Sequence, residues 1–139
     1  MTLVKQDKFI MELSYFIVSL HENQCYLGRC RISAKREGAI EKYDLSPREF
    51  SDLYITGQKI VRALRNLFSP DLFNHFEGGN KNPHYHEHLI PRYSSVRIFD
   101  GHTFVDENWG EDYTPYDRNF SIPDETFFKI REAIKKELG

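Results

Sequence analysis

Three of the six histidines stand at alternate positions in the polar stretch that runs from residue 83 to residue 92. They are His84, His86 and His88, and the Leu-Ile pair that follows them is typical of a short β-strand. Because alternate residues of a strand share one face, the sequence predicts three imidazoles in a row on one side of a sheet. We expect Pro91 to end this strand.

Two kinds of chemistry suit such a row of imidazoles. Neighbouring rings could bind one zinc ion, since His is the commonest metal ligand. At a rise of about 3.3 Å per residue, however, His84 and His88 stand roughly 13 Å apart, whereas zinc ligands lie about 2 Å from the metal. An elongated anion such as a phosphate chain fits better, because one imidazole can attack while its neighbours donate hydrogen bonds or protons. The strict alternation argues against three unrelated surface histidines.

Residues 84–90 resemble the signature of the histidine-triad (HIT) family of nucleotide hydrolases and transferases, in which histidines alternate with hydrophobic residues. Pro91 and Arg92 resemble the end of that motif in the hydrolase-like branches. Glu87 departs from the motif, since the family usually has an apolar residue there. It lies on the face opposite the histidines, so we expect it to alter packing or partner contacts rather than chemistry.

The resemblance implies an activity and a role for each histidine. The reaction would be hydrolysis or transfer at the α-phosphate of a nucleotide derivative, such as a dinucleoside polyphosphate or a nucleoside phosphoramidate. His86 would be the nucleophile and would form a phosphoryl-histidine, with its second ring nitrogen donating to a backbone carbonyl. His84 and His88 would bind phosphate oxygens or protonate the leaving group. Neither a metal nor another cofactor is implied.

A glycine-bearing loop over residues 77–82 precedes the histidines. Its adjacent glycines permit positive φ, and a concave loop of backbone N–H groups can hold a phosphate. A plain hairpin loop is the alternative, because Gly-Gly-Asn is common turn chemistry. The resemblance favours phosphate binding, since family members carry an amide residue on the preceding strand and another just past the loop glycine. The predicted phosphate- and nucleotide-binding residues are Asn74, Gly79, Asn80 and Lys81.

A predicted hairpin over residues 15–34 has one apolar face and one polar face. In its second strand Arg29 and Arg31 alternate with apolar residues, and we interpret them as surface charges, with a position at the phosphate site as the alternative. The family has a glycine at the start of this strand, matched by Gly28, and often a histidine next, where Arg29 stands. Residues 19–23 contain no clear match to the family's acidic or amide ribose contact.

The remaining elements position this site. Ser46, Pro47 and Glu49 predict the capped start of an amphipathic helix of about 20 residues that covers the sheet and ends at Pro70. Residues 71–76 read as a strand, residues 96–105 as a hairpin with Asp-Gly at its turn, and an apolar spacing from Phe127 to Leu138 as a closing helix. The irregular residues 106–119 are predicted to form a lid, a dimer contact or packing over the sheet edge.

The whole chain of 139 residues is predicted to be a single HIT-like domain, 1–139, of the α+β class. It would have an antiparallel β-sheet, a long covering helix between strands and a C-terminal helix. A formal net charge of −2 offers no general attraction for nucleic acid or an anionic membrane, and no apolar run suits a membrane span. We therefore expect a cytoplasmic protein whose partner is a nucleotide. The resemblance further implies a homodimer. Two cysteines in such a domain favour buried thiols over a disulfide.

Two other functions are compatible with the same residues. One is a nucleotide-binding regulatory module with little turnover, which the departures at Arg29, at Glu87 and at the ribose contact make plausible. The other is a metal-binding protein that uses two of the three histidines.

Overall fold

The computed structural model describes residues 5–139, with side chains described from residue 7 onward. The first four residues of the predicted 1–139 domain therefore lie outside the described part. In chain order the α-helices and strands are α1 Lys5–Lys8, β1 Phe9–Glu12, β2 Phe16–Leu20, β3 Cys30–Ala34, α2 Pro47–Phe68, β4 Leu72–Phe76, β5 His86–Arg92, β6 Arg97–Phe99, β7 His102–Phe104 and α3 Asp124–Leu138, and a short 3-10 helix, Lys42–Asp44, precedes α2.

The main sheet has five antiparallel strands in the order β1-β2-β3-β5-β4, and β6 pairs with β7 in a separate hairpin. The long helix α2 connects β3 to β4, and α3 closes the described chain. The predicted α+β class, with an antiparallel sheet, a covering helix and a C-terminal helix, is confirmed.

One face of the sheet forms the hydrophobic core. The cross-strand pairs Val18–Ile32 and Leu20–Cys30 are fully or almost fully buried. These pairs belong to one core cluster with Ile60 of α2, and α2 and α3 also pack against each other. Because side chains alternate along each strand, the residues between these pairs lie on the opposite face of the sheet.

Helix α2 begins as its sequence predicts. The Ser46 hydroxyl accepts from the Glu49 N–H while the Glu49 carboxylate accepts from the Ser46 N–H, and Pro47 occupies the first helical position. At the other end Ser69 has a φ of 50° and Pro70 follows, so the helix stops. The helix spans 22 residues.

Strand β5 differs from its prediction at both ends. It begins at His86 rather than His84, and it continues through Pro91 to Arg92 instead of ending at the proline. The register with β3 ends at the Cys30–Leu89 pair, and beyond it β5 pairs with β4 alone. A residue without an N–H is tolerated where a strand is paired on one side only.

Three smaller expectations also have outcomes. Residues 9–12, predicted as a strand or a helical turn, form β1. The Asp-Gly turn between β6 and β7 is present, with Asp100 and Gly101 both at positive φ. Cys25 and Cys30 are free thiols. Among the helices of the described residues, none combines the length and apolar character needed to cross a bilayer.

Candidate active site

A cleft of about 670 Å³ lies on the face of the sheet opposite α2. Its floor comes from the adjacent strands β3 and β5, where His86 pairs with Ser33 and His88 pairs with Arg31. The residues predicted from the sequence that line it are His84, His86, His88, Gly79, Asn80 and Lys81. The strand pairing thus brings the three histidines and the glycine loop to one opening.

The ring of His86 has one nitrogen committed to the backbone. Its Nδ1 lies 2.7 Å from the carbonyl oxygen of His84. A carbonyl only accepts hydrogen bonds, so Nδ1 carries the hydrogen and donates it. In the neutral ring Nε2 then holds a free lone pair, which is the form a nucleophile requires. The donation to a backbone carbonyl expected from the sequence is present.

His84 is held in the opposite sense. Its Nε2 lies 2.6 Å from the carbonyl oxygen of Ala34, so this nitrogen is the donor and cannot also bind a phosphate oxygen. Only Nδ1 of His84 is left for a ligand in the cleft. His84 therefore makes two hydrogen bonds: its ring donates to Ala34 at the end of β3, and its backbone carbonyl accepts from Nδ1 of His86.

His88 lies beside His86, with the two ring centroids 5.0 Å apart. Burial lowers the pKa of His88, and together with the positive charges of Arg29 and Arg31 it brings that pKa to about 3. The ring is therefore neutral near pH 7. Its Nδ1 is buried with no hydrogen-bond partner among the described residues.

His21 forms a second neutral imidazole at the same end of the cleft, 5.6 Å from the ring of His88. Its Nδ1 accepts from the backbone N–H of Asn23 at 3.0 Å, so its hydrogen lies on Nε2. Burial lowers the pKa of His21 to about 3, with Arg29 acting in the same direction. No sequence pattern predicted a role for His21.

The predicted phosphate-binding residues separate into two groups. Gly79, at a φ of 72°, lines the cleft with Asn80 and Lys81. The structure directs Asn74 elsewhere: its Oδ1 accepts from Arg92 at 2.7 Å, and it is not among the described residues that line the cleft. Asn74 lies on the same face of the sheet as the histidines, but its side-chain oxygen is hydrogen-bonded to the buried Arg92.

The interpretation of Arg29 as a surface charge is wrong, whereas Arg31 is half-buried. Both line the cleft, and Arg29 is only 2% exposed. Alternation placed both arginines on the polar face of the sheet, but Tyr113 and Tyr116 of residues 106–119 lie against Arg29 on that face. The alternation can be read from neighbouring residues, but the segment that packs over Arg29 is distant in the sequence and could not be predicted from them.

Residues 106–119 form one wall of the cleft through Tyr113 and Tyr116. The two rings are stacked with centroids 5.9 Å apart, and Tyr113 also meets Phe76 of β4 edge-on. Arg118, which also lines the cleft, lies over Tyr116. The segment therefore lines the cleft and packs against the edge strand β4, and its roles as a lid or a dimer contact stay predictions.

Glu87 lies on the sheet face away from the histidines, as its position in the strand predicts, and pairs with Ile32 across β3. Its carboxylate is 2.8 Å from Nδ1 of His75, and this hydrogen bond raises the pKa of His75. Glu87 therefore alters contacts on the far face of the sheet. In the described part of the chain, no three His, Cys, Asp or Glu side chains are grouped closely enough to hold a metal ion.

Comparison with known proteins identifies the family of the chain. The model of the HIT domain family matches residues 2–95, and the chain belongs to that family. No curated protein matches the sequence closely enough to count as a relative.

Solved structures of low sequence identity share the fold. A histidine triad protein from Bradyrhizobium japonicum has a TM-score of 0.77 at 18% identity, over 99% of this chain and 98% of the other. One from Sinorhizobium meliloti has a TM-score of 0.77 at 17% identity, over 98% and 96%. The diadenosine triphosphate hydrolase of Plasmodium falciparum has a TM-score of 0.66 at 16% identity, over 96% of this chain and 77% of that one.

Proposed function

We propose that the protein hydrolyses or transfers the nucleotidyl group of a nucleotide derivative, by attack of His86 on its α-phosphate. The observation that carries the proposal is the fixed tautomer of His86: Nδ1 donates to the His84 carbonyl at 2.7 Å and leaves the Nε2 lone pair free. Family membership and the likeness to a diadenosine triphosphate hydrolase support a nucleotide substrate. Candidate substrates are dinucleoside polyphosphates and nucleoside phosphoramidates.

The reaction has two displacements at phosphorus. Nε2 of His86 forms a bond to the α-phosphorus, and the bond to the leaving group breaks with the electron pair going to that group. In the phosphoryl-histidine, Nδ1 keeps its hydrogen and still donates it to the His84 carbonyl. Water then adds to the phosphorus and releases a proton to solvent, while Nε2 leaves with the electrons of the P–N bond. The neutral ring is restored.

The other residues of the cleft supply donors for the phosphate oxygens. They include the amide of Asn80, the ammonium of Lys81 and the backbone around Gly79, which all line the cleft. His88 lines the same cleft, and its neutral ring keeps its hydrogen on Nε2, because a buried N–H without a partner at Nδ1 would be costly. In this mechanism His88 donates a hydrogen bond and does not transfer a proton.

The test is the variant His86→Ala with His102→Ala as its control, since His102 lies on β7 away from the cleft. Adenine and guanine dinucleotides, phosphoramidates and sulfated analogues are screened against both. We expect His86→Ala to lower turnover by about three orders of magnitude, in line with the loss of a covalent step, and His102→Ala to leave it unchanged. Label from an α-phosphate should be trapped on the wild-type protein and not on His86→Ala. Near-full activity of His86→Ala would contradict the proposal.

A nucleotide-binding regulatory module is the second candidate. It is favoured by the neutral state of His88 and His21, which leaves the cleft without an acid among these rings to assist a poor leaving group. Tight nucleotide binding with neither turnover nor labelled protein would select this function. The homodimer, the cytoplasmic location and the single domain over 1–139 stay predictions.

A further inference from the structure

Arg29 is a buried cation with unused hydrogen-bond donors. It is 2% exposed, lines the cleft, and makes no hydrogen bond through Nε or Nη1 to any described residue. An arginine side chain stays charged in proteins, and a buried charge without a partner is costly. Such an arrangement is retained where the missing partner arrives with a ligand.

The surroundings of Arg29 hold the guanidinium in place without neutralising it. Its Cζ lies 4.8 Å from the ring centroid of Tyr116 and 5.6 Å from that of Tyr113. Its backbone carbonyl accepts from the His21 N–H and from the Gln24 side chain, which fixes the start of the strand. Aromatic rings stabilise a cation but accept no in-plane hydrogen bonds from its fork, so the donors stay available.

The one acidic side chain among the described residues that line the cleft is engaged elsewhere. Glu22 also lines the cleft, but its carboxylate is 3.5 Å from the ammonium of Lys8. The other charged groups of the cleft are Arg31, Arg118 and Lys81, all positive. The charge balance at this end therefore calls for an anion from outside the protein.

Arg29 lies too far along the sheet from His86 for its anion to be the attacked phosphate. Arg29 stands four residues along the strand from Ser33, the cross-strand partner of His86, which is roughly 13 Å at about 3.3 Å per residue. The flexible side chain spans part of that length. Among the charged groups, Arg29 acts most strongly on the ring of His88, so its guanidinium lies nearer the histidines than its backbone does. An anion at Arg29 is thus a group of the substrate other than the attacked α-phosphate.

We propose that Arg29 binds a second, separate oxyanion of the substrate, and that the protein selects nucleotide derivatives which carry one. This inference rests on the proposed function and adds the substrate class. The shared chemistry is a phosphate group held by the Arg29 fork. Two sources supply it: a distal phosphate of a long leaving chain, or a phosphate on the ribose of the nucleoside.

The experiment compares wild type with Arg29→Met and Arg29→Lys, and uses Arg62→Met as control, because Arg62 is exposed on α2. Three substrates are used: adenosine 5′-phosphoramidate, its 3′-phosphate derivative, and diadenosine tetraphosphate. We expect Arg29→Met to lower kcat/KM by about ten- to hundredfold for at least one of the two substrates with extra phosphate, relative to the plain phosphoramidate. The kcat/KM of Arg29→Lys should lie between those of wild type and Arg29→Met, since lysine keeps the charge and loses the forked pair of N–H donors. The substrate that is affected identifies the source.

Binding measurements keep this test separate from that of the nucleophile. Calorimetry is run with AMP, adenosine 3′,5′-bisphosphate and a non-hydrolysable diadenosine tetraphosphate on His86→Ala and on the double variant His86→Ala, Arg29→Met. Tighter binding of a ligand with additional phosphate groups than of AMP, lost in the double variant, supports the role of Arg29 even if no turnover is found. An equal effect of Arg29→Met or Arg29→Lys on all ligands, or no effect in variants whose melting curves show them folded, would overturn it.

Discussion

At the scale of single residues, the protonation state of His88 decides between two roles that the triad motif leaves open, which are to bind a phosphate oxygen and to protonate the leaving group. A proton donor must be charged when the leaving group departs, whereas a neutral ring offers only a hydrogen bond. Burial beside Arg29 and Arg31 lowers the pKa of His88 to about 3, so the charged form is scarce at neutral pH. The role of His88 as a hydrogen-bond donor therefore depends on Arg29 and Arg31, which are not part of the motif.

The comparison of His88→Gln with His88→Leu tests this role. Glutamine keeps an N–H donor but cannot carry a proton, while leucine removes the donor at similar volume. We expect His88→Gln to keep kcat/KM within about tenfold of wild type and His88→Leu to lose about a hundredfold, as expected for one donor to a charged phosphate. Steady-state kinetics on a dinucleoside polyphosphate measure both. An equally large loss in the two variants would identify His88 as a proton donor.

At the scale of elements, the wall of the cleft depends on one buried ion pair. Arg92, at the end of β5, donates to Asp106 through Nε at 2.7 Å and through Nη2 at 3.1 Å, and the two side chains are 3% and 0% exposed. Arg92 also donates to the carbonyl of Asn108, whose side chain in turn donates to the carbonyl of Tyr113. The strand that carries the histidines thus fixes the segment that covers Arg29.

We predict that Asp106→Asn destabilises the protein by about 3 to 5 kcal/mol, because it leaves the buried Arg92 charge without a matched partner. The control is Asp112→Asn, which removes an exposed carboxylate of the same segment. Urea unfolding gives the free energies, and the fluorescence of Trp109 in the same segment reports its position. A change of less than about 1 kcal/mol for Asp106→Asn would show that the pair does not hold the wall.

Local patterns predicted the elements well where the signal is contained in a few neighbouring residues. The capping box of Ser46 and Glu49 fixed the start of α2, and alternation put the three histidines in one cleft. The burial of Arg29 could not be found this way, since it depends on Tyr113 and Tyr116, which are distant in the chain. Asn74 likewise lies on the expected strand, and only the position of Arg92 shows how its oxygen is used.

At the scale of the whole molecule, buried histidines couple stability to pH in a direction that can be worked out. The pKa of His21 falls from about 6.5 when unfolded to about 3 when folded, because burial and Arg29 disfavour the charged ring. Below pH 6.5 the unfolded chain binds a proton that the folded chain does not, so stability decreases as the pH falls toward 3. His88 acts in the same sense. Exposed His75, whose pKa is raised by Glu87, has the opposite sign: its contribution is full below the unfolded pKa and is lost as pH rises through the folded pKa.

The variant His21→Asn isolates one of these contributions. Asparagine can accept the same hydrogen bond from the Asn23 N–H, as in an Asx turn, but it does not titrate. Wild type should lose up to about 2 kcal/mol more than His21→Asn between pH 7 and about pH 5, from a shift of this size. Urea unfolding across that pH range measures the difference, and His102→Asn controls for loss of an arbitrary histidine. Parallel pH profiles for wild type and His21→Asn would mean that Glu22, which favours the charged ring, offsets Arg29 and burial.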